Sequence, residues 1–138
     1  MSQSTMIESR LHIIVRSTDI DFNRHVNNAK YLEYMEWGRE DFYQLAGAYY
    51  DTLLDLGVIT VAANVNLNYR KEAVQDDELI VITRPARIGT SSFTVGQTII
   101  RARDDELIAD AFVTLVAMDV NTRRSTPVPD LLRHAFLT

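Results

Sequence analysis

From Ile59 to Tyr69 the chain reads ITVAANVNLNY, and apolar and polar side chains alternate at a period of two. Val61, Ala63, Val65, Leu67 and Tyr69 fall on one face, with Thr60, Ala62, Asn64, Asn66 and Asn68 on the other. That pattern predicts a half-buried strand. LHIIVRS from Leu11 predicts an earlier strand. Three later ones follow: ELIVITRPARI, interrupted at Pro85; SSFTVGQTIIRAR, after a turn at GTSS; and ELIADAFVTLVAMD, after a turn at DD. Between the first two strands the period changes. From Asn28 to about Ala46, Leu32, Met35, Phe42 and Leu45 recur at helical spacing, with Gly38 or Arg39 filling the intermediate turn. A glycine on that stripe costs about 1 kcal/mol of helix propensity, so it implies a close approach by another backbone. Asn27 or Asn28 is suited to cap the start, and Lys30 with Glu33 and Glu36 with Arg39 are spaced as surface ion pairs. YYDTLLDLG predicts a short second helix stopped by Gly57, and VPDLLRHAFLT a closing one with Pro129 near its start and Asp130 in its first turn.

The order is strand, long helix, then four strands joined mostly by tight turns. Hairpin-length connections make the last strands antiparallel neighbours, and the long helix must bury its stripe on one sheet face. The expectation is an α+β fold in one domain spanning residues 1–138. Composition agrees: of 138 residues 46% are hydrophobic and 24% charged, as in an ordinary globular chain. The net charge of −5 argues against tracking along nucleic-acid phosphates but leaves room for a local basic patch that binds a small polyanion. With no cysteine, disulfides, thiolate metal sites and a cysteine nucleophile are excluded. The N-terminal MSQSTMIESR carries no apolar core of signal-peptide length, and nowhere do about 18 apolar residues run together. A cytoplasmic protein is expected.

Candidate chemistry concentrates in TDIDFNRHVNNAKYLEY, from Thr18 to Tyr34. Turn and capping chemistry accounts for much of it: Asn27 as an N-cap, Asp19 as a turn or capping group, and even Asp21 as an Asx-turn. The alternative is a site, because a helix N-terminus offers unpaired amides and partial positive charge beside a carboxylate. Asp19, Asp21 and His25 make a weak metal signal, since His12 and His134 lie in other elements. No G-x-S-x-G elbow for a serine hydrolase is present. Tyr31, Tyr34 and Trp37 suit core or subunit packing.

TDIDFNRHVNNAKYLEYMEWGREDF resembles the signature of the hotdog-fold acyl-CoA thioesterases of the 4-hydroxybenzoyl-CoA thioesterase type: an aspartate, a HVNNA-x-Y loop and the start of a central helix. VNLNYRKEAVQDDELIV resembles the family's Y-x-x-P-A-x-x-G-D segment, RIGTSSF its G-x-S-S turn and MDVNTRRSTPVP its closing segment. The chain departs from the family at Glu72, where proline is common, and at Asp76, where glycine is. Both positions lie outside the acid-bearing loop and bear on turn geometry and ligand contacts.

The resemblance implies a hotdog fold, a five-stranded antiparallel sheet wrapped around one long central helix, with the second strand at an edge. It implies an acyl-CoA thioesterase that releases free acid and coenzyme A. Asp21 matches the family's general base or nucleophile, and Asn28 the residue whose backbone amide polarises the thioester carbonyl. Expected substrate-binding residues are His25, Asn27, Tyr31, Arg70, Lys71, Thr90, Ser91 and Ser92, with Arg123 and Arg124 as further candidates for coenzyme A phosphates. No cofactor and no metal are expected, since coenzyme A is part of the substrate. A homodimer or homotetramer, formed by extending the sheet across two chains, is implied as well. Two rival readings are hydrolysis of acyl carrier protein thioesters and a non-catalytic acyl-thioester binding module. Some relatives carry the catalytic carboxylate on the helix, but the spacing of Glu36 to Arg39 favours an ion pair.

Overall fold

The computed structural model describes residues 7–137, so the first six positions of the polar N-terminal stretch and Thr138 lie outside it. The elements are β1 (Ser9–Ile14), α1 (Asn28–Leu45), α2 (Tyr50–Asp55), β2 (Val58–Tyr69), β3 (Glu78–Ile88), β4 (Ser92–Arg101), β5 (Glu106–Asp119) and α3 (Asp130–Arg133). Single 3-10 turns occupy Ser17–Asp19 and His134–Phe136. The five strands form one antiparallel sheet in the order β1-β3-β4-β5-β2. The hairpins β3–β4 and β4–β5 are neighbours, as tight turns require. β2 instead crosses to the far edge and, among the described residues, pairs only with β5. Among the described residues no helix is long and apolar enough to cross a membrane.

The α1 helix lies against β1 and β3. Asn27 caps it, its Oδ1 accepting from the Ala29 amide at 2.9 Å. The buried face is Tyr31, Tyr34, Met35, Gly38 and Phe42. This corrects the expected stripe: Met35 and Phe42 belong to it, but Leu32 and Leu45 are exposed, and Trp37 is at the surface. Two tyrosines take the inward positions because their rings supply more apolar area than the leucines beside them. Gly38 does mark a close approach, but by side chains. A Cβ there would sit 2.6 Å from Val81 Cγ1 and 2.9 Å from Thr83 Oγ1. Below it, the buried Gln97 amide donates to the Met35 carbonyl at 2.9 Å and to Thr83 Oγ1 at 2.8 Å. Arg39 donates to Gln97 Oε1 at 3.1 Å and forms no described ion pair with Glu36, whereas Lys30 does pair with Glu33 at 3.4 Å. Removing Arg39 from water to reach that amide depresses its pKa.

The opposite end of the core is aromatic. Phe136, after α3, stacks edge-on against Phe42 and Phe93, at centroid distances of 6.1 and 5.5 Å. Pro85 is accommodated by a bulge between Pro85 and Arg87, so β3 bends there and continues.

β2 is the main departure from the sequence pattern. It is a strand over the expected range but not half-buried: from Val61 to Tyr69 only Leu67 is even partly covered. A register shift between Ala62 and Asn64 also breaks the expected alternation. Before it, Thr60 and Ala62 oppose the buried Ala117 and Leu115; after it, Val65, Leu67 and Tyr69 oppose the buried Val113, Ala111 and Ala109. Val61 therefore shares the outer face with Val116. One extra residue flips the phase, because the side-chain period of a strand is two.

Candidate active site at the start of the long helix

Residues 20–26 form a tight loop closed by a bridge between Ile20 and Val26. The Asp21 amide donates to the His25 carbonyl at 3.1 Å, and the Arg24 amide to the Asp21 carbonyl at 3.0 Å. Arg24 takes a left-handed backbone, φ 67°, to turn the corner. Asp21 Oδ1 accepts the Asn23 amide at 2.8 Å, so the Asx-turn exists. Its Oδ2 has no partner among the described residues. The turn fixes one carboxylate oxygen, and Phe22 beside it is fully exposed.

Asp19 has a different place. It is buried, its Oδ2 accepts the Arg16 amide at 2.9 Å, and its Oδ1 lies 3.7 Å from Lys30 Nζ. It ties the loop to the first turn of α1. The buried Tyr34 hydroxyl has no hydrogen-bond partner among the described residues. Its pKa is pushed up, by burial first and then by Asp19.

The helix start is open. Asn28 is exposed, and its amide has no acceptor among the described residues, as expected for the first position of a helix. Its carbonyl accepts from the Tyr69 hydroxyl at 3.0 Å. The Tyr69 ring meets Tyr31 edge-on at 5.5 Å. Burial pushes the Tyr31 phenol pKa upward.

A hollow of about 280 Å³ opens here, lined by His25, Asn28, Tyr31, Tyr69, Arg70 and Lys71 among others. His25 Nδ1 lies 3.2 Å from the Val26 carbonyl. Arg70 is engaged bidentately by Asp110, at 3.0 and 3.3 Å. That guanidinium holds the Asp110 carboxyl below the usual carboxylate range. Lys71 has no described ion-pair partner and is the more available cation.

Five of the sequence-derived site residues thus meet in one place: His25, Asn28, Tyr31, Arg70 and Lys71. Asp21 sits in the adjoining loop, and Asn27 contributes the cap. Thr90, Ser91 and Ser92 do not join them within the chain. Thr90 and Ser91 lie in the β3–β4 turn and Ser92 opens β4; the Thr90 carbonyl accepts from Arg133 at 3.0 Å and from the Val128 amide at 2.9 Å. Arg123 and Arg124 lie in the turn after β5, beside the start of β2. Sequence reasoning missed Tyr69 as a site residue. Its signal was present, since the expected strand delivers it to the same segment as Arg70 and Lys71.

A second hollow, about 360 Å³ and lined mainly by apolar groups, lies at the other end of α1. Tyr43, Ala48, Tyr50, Leu53, Leu54 and Val58 are among its walls, and Tyr43 and Thr60 share a hydrogen bond of 2.8 Å at its edge. Burial pushes the Tyr43 phenol up to about 12.

Residues 15–136 match a family model described as the thioesterase-like superfamily. The chain is 31% identical over 122 residues to the long-chain acyl-CoA thioesterase FadM of Escherichia coli strain K12, covering 88% of this chain and 92% of that protein. Solved structures share the fold. A 1,4-dihydroxy-2-naphthoyl-CoA thioesterase from Synechocystis superposes with a TM-score of 0.85 at 17% identity, covering 94% of this chain and 95% of that one. A Staphylococcus aureus protein solved in complex with CoA superposes with a TM-score of 0.89 at 18% identity, covering 98% and 85%.

Proposed function

The chain belongs to the thioesterase-like superfamily and is a thioester hydrolase, and from that premise we propose that Asp21 and the Asn28 amide are its catalytic pair, acting on acyl-CoA. The observation that carries this reading is the unpartnered amide of Asn28 at the wall of a hollow that Asp21's loop adjoins. In hydrolysis the thioester carbonyl oxygen gains charge, and the Asn28 amide, aided by the helix dipole, stabilises it. Asp21 Oδ2 either takes a proton from water as the water oxygen bonds to the carbonyl carbon, or attacks that carbon itself. The second route gives an anhydride that water then opens. In both, the carbon–sulfur bond breaks, the acid is released and the thiolate of coenzyme A takes up a proton. Lys71 and Arg70 stand at the rim, where coenzyme A phosphates need cations. His25 and Tyr31 position the acyl-thioester group, and α1 is the central helix around which the sheet wraps.

A homodimer through the outer edge of β2 completes the reading. β2 is twelve residues long and carries no charge, proline or glycine, which leaves its unpaired backbone a template for another strand. The opposite edge, β1, is six residues long and carries Arg10 and His12, as a protected edge does. On the helix side Val65 is 42% and Tyr69 52% exposed, apolar surface that a second copy covers.

The test is turnover of one acyl group carried on coenzyme A and on acyl carrier protein, by the wild type and by Asp21→Asn. Hydrolysis of the coenzyme A ester, lost in Asp21→Asn, supports the reading. An Asp21→Asn enzyme that keeps the wild-type rate overturns the catalytic assignment.

A further inference from the structure

We propose that the Tyr34 hydroxyl is a positioning group for the catalytic pair. With substrate bound it donates to the Asp19 carboxylate, and so holds the Asp21 loop in register with the Asn28 amide. This rests on the catalytic reading above and adds to it a residue that touches neither substrate nor reacting atoms.

Tyr34 is 1% exposed, and its hydroxyl is a buried polar group with no hydrogen-bond partner among the described residues. A phenol stripped of water and left unpaired weakens a fold, whereas phenylalanine fills the same space without that loss. The ring meets Tyr31 at 6.1 Å and Trp37 at 5.6 Å, contacts that phenylalanine would make equally well. Packing therefore accounts for the ring and not for the hydroxyl, and such an orphan calls for another reason.

Asp19 supplies one. Lys30 and Tyr34 stand one turn apart on α1, at i and i+4, and share a helix face. Lys30 Nζ lies 3.7 Å from Asp19 Oδ1, and the Asp19 charge acts on the Tyr34 phenol, whose pKa it helps to raise. A protonated phenol beside a carboxylate is a donor facing an acceptor. Asp19 Oδ2 is committed to the Arg16 amide at 2.9 Å, while Oδ1 has the loose Lys30 contact alone among the described residues. Hydrogen bonds that serve catalysis are often long or misaligned before substrate binds and tighten in the complex.

A bond to Asp19 reaches both members of the catalytic pair. The Asp19 carbonyl accepts the Asn27 amide at 2.9 Å, one residue before Asn28, and the Ile20–Val26 bridge closes the loop just beyond. Asp21 follows two residues after Asp19. Tyr34 thus braces the leg that carries the carboxylate and the leg that carries the oxyanion donor. A misplacement of about 1 Å at reacting groups can cost about 100-fold in rate, so even a partial loosening here is visible in turnover.

Tyr34→Phe removes the hydroxyl alone. With hexadecanoyl-CoA as the probe, kcat is expected to fall about tenfold while KM stays unchanged, as for an interaction made only in the transition state. The urea midpoint is expected to stay level or rise, because the buried orphan is gone. A merely structural hydroxyl would not lower kcat in a fold of undiminished stability. In an Asp19→Ala background, where the phenol has no acceptor, Tyr34→Phe is expected to cost less than about twofold further. A wild-type kcat in Tyr34→Phe overturns the proposal, and so does a fall in the urea midpoint that accompanies the loss of kcat. A full tenfold loss in the Asp19→Ala background overturns the route through Asp19. Wild-type turnover retained by Asp21→Asn, or a wild-type chain inactive on every acyl-CoA, overturns the parent reading instead, and so is distinguishable from these.

Discussion

The phenol of Tyr69, the last residue of β2, donates to the main-chain carbonyl of Asn28, the first residue of α1, at 3.0 Å. This bond ties the edge strand to the helix start whose amide is the proposed oxyanion donor. Tyr69→Phe keeps the ring contact with Tyr31 and removes only the donor. A neutral hydrogen bond is worth about 1 kcal/mol net, so kcat should fall about fivefold while KM changes little. Steady-state kinetics read this directly, and an unchanged kcat counts against a positioning role.

Two aspartates two residues apart should respond in opposite ways. Asp21→Asn preserves an acceptor for the Asn23 amide, so stability should stay within about 0.5 kcal/mol of wild type while turnover falls about 100-fold or more. Asp19→Ala leaves the Arg16 amide without its acceptor and Lys30 without a buried partner, costing about 1–2 kcal/mol. Urea unfolding and acyl-CoA turnover on both variants give the four values needed. Equal activity losses in the two would erase the distinction.

Gly38→Ala should destabilise in spite of alanine's better helix propensity. The added methyl meets Val81 Cγ1 at 2.6 Å and Thr83 Oγ1 at 2.9 Å, and overpacking of this kind costs about 1–3 kcal/mol. Propensity returns about 1 kcal/mol at most. The urea midpoint should therefore fall; a rise would mean that α1 lifts from the sheet without strain.

Alkaline pH should weaken the fold through Tyr43. Burial raises its pKa to about 12 in the folded chain, against about 10 when unfolded. Folding thus favours the protonated phenol. The corresponding stability is fully present below pH about 10 and is lost as pH rises through about 12. Tyr43→Phe should flatten that part of the profile, measured as the urea midpoint between pH 9 and 12. A profile as steep as wild type would place the titration on Tyr31 or Tyr34, whose pKa values burial also raises.

Much of this protein was legible in its residues. The ranges of α1, β3 and β5, the cap at Asn27, the stop at Gly57 and the convergence of HVNNA with Tyr31 are local matters, set by period, capping and turn chemistry. Three things were decided only in the fold. The rotation of α1 depends on which side chains fill the space over β1 and β3, and Tyr31 and Tyr34 won it from Leu32 and Leu45. The phase of β2 depends on a bulge that alternation in sequence does not record, because one residue without a partner shifts every later side chain to the other face. The exposure of β2 depends on strand order: an alternating segment looks half-buried from its own residues, but at the sheet edge the described residues leave most of it uncovered. Periodicity specifies which residues can share a face, and only the neighbours supplied by tertiary structure specify what that face meets.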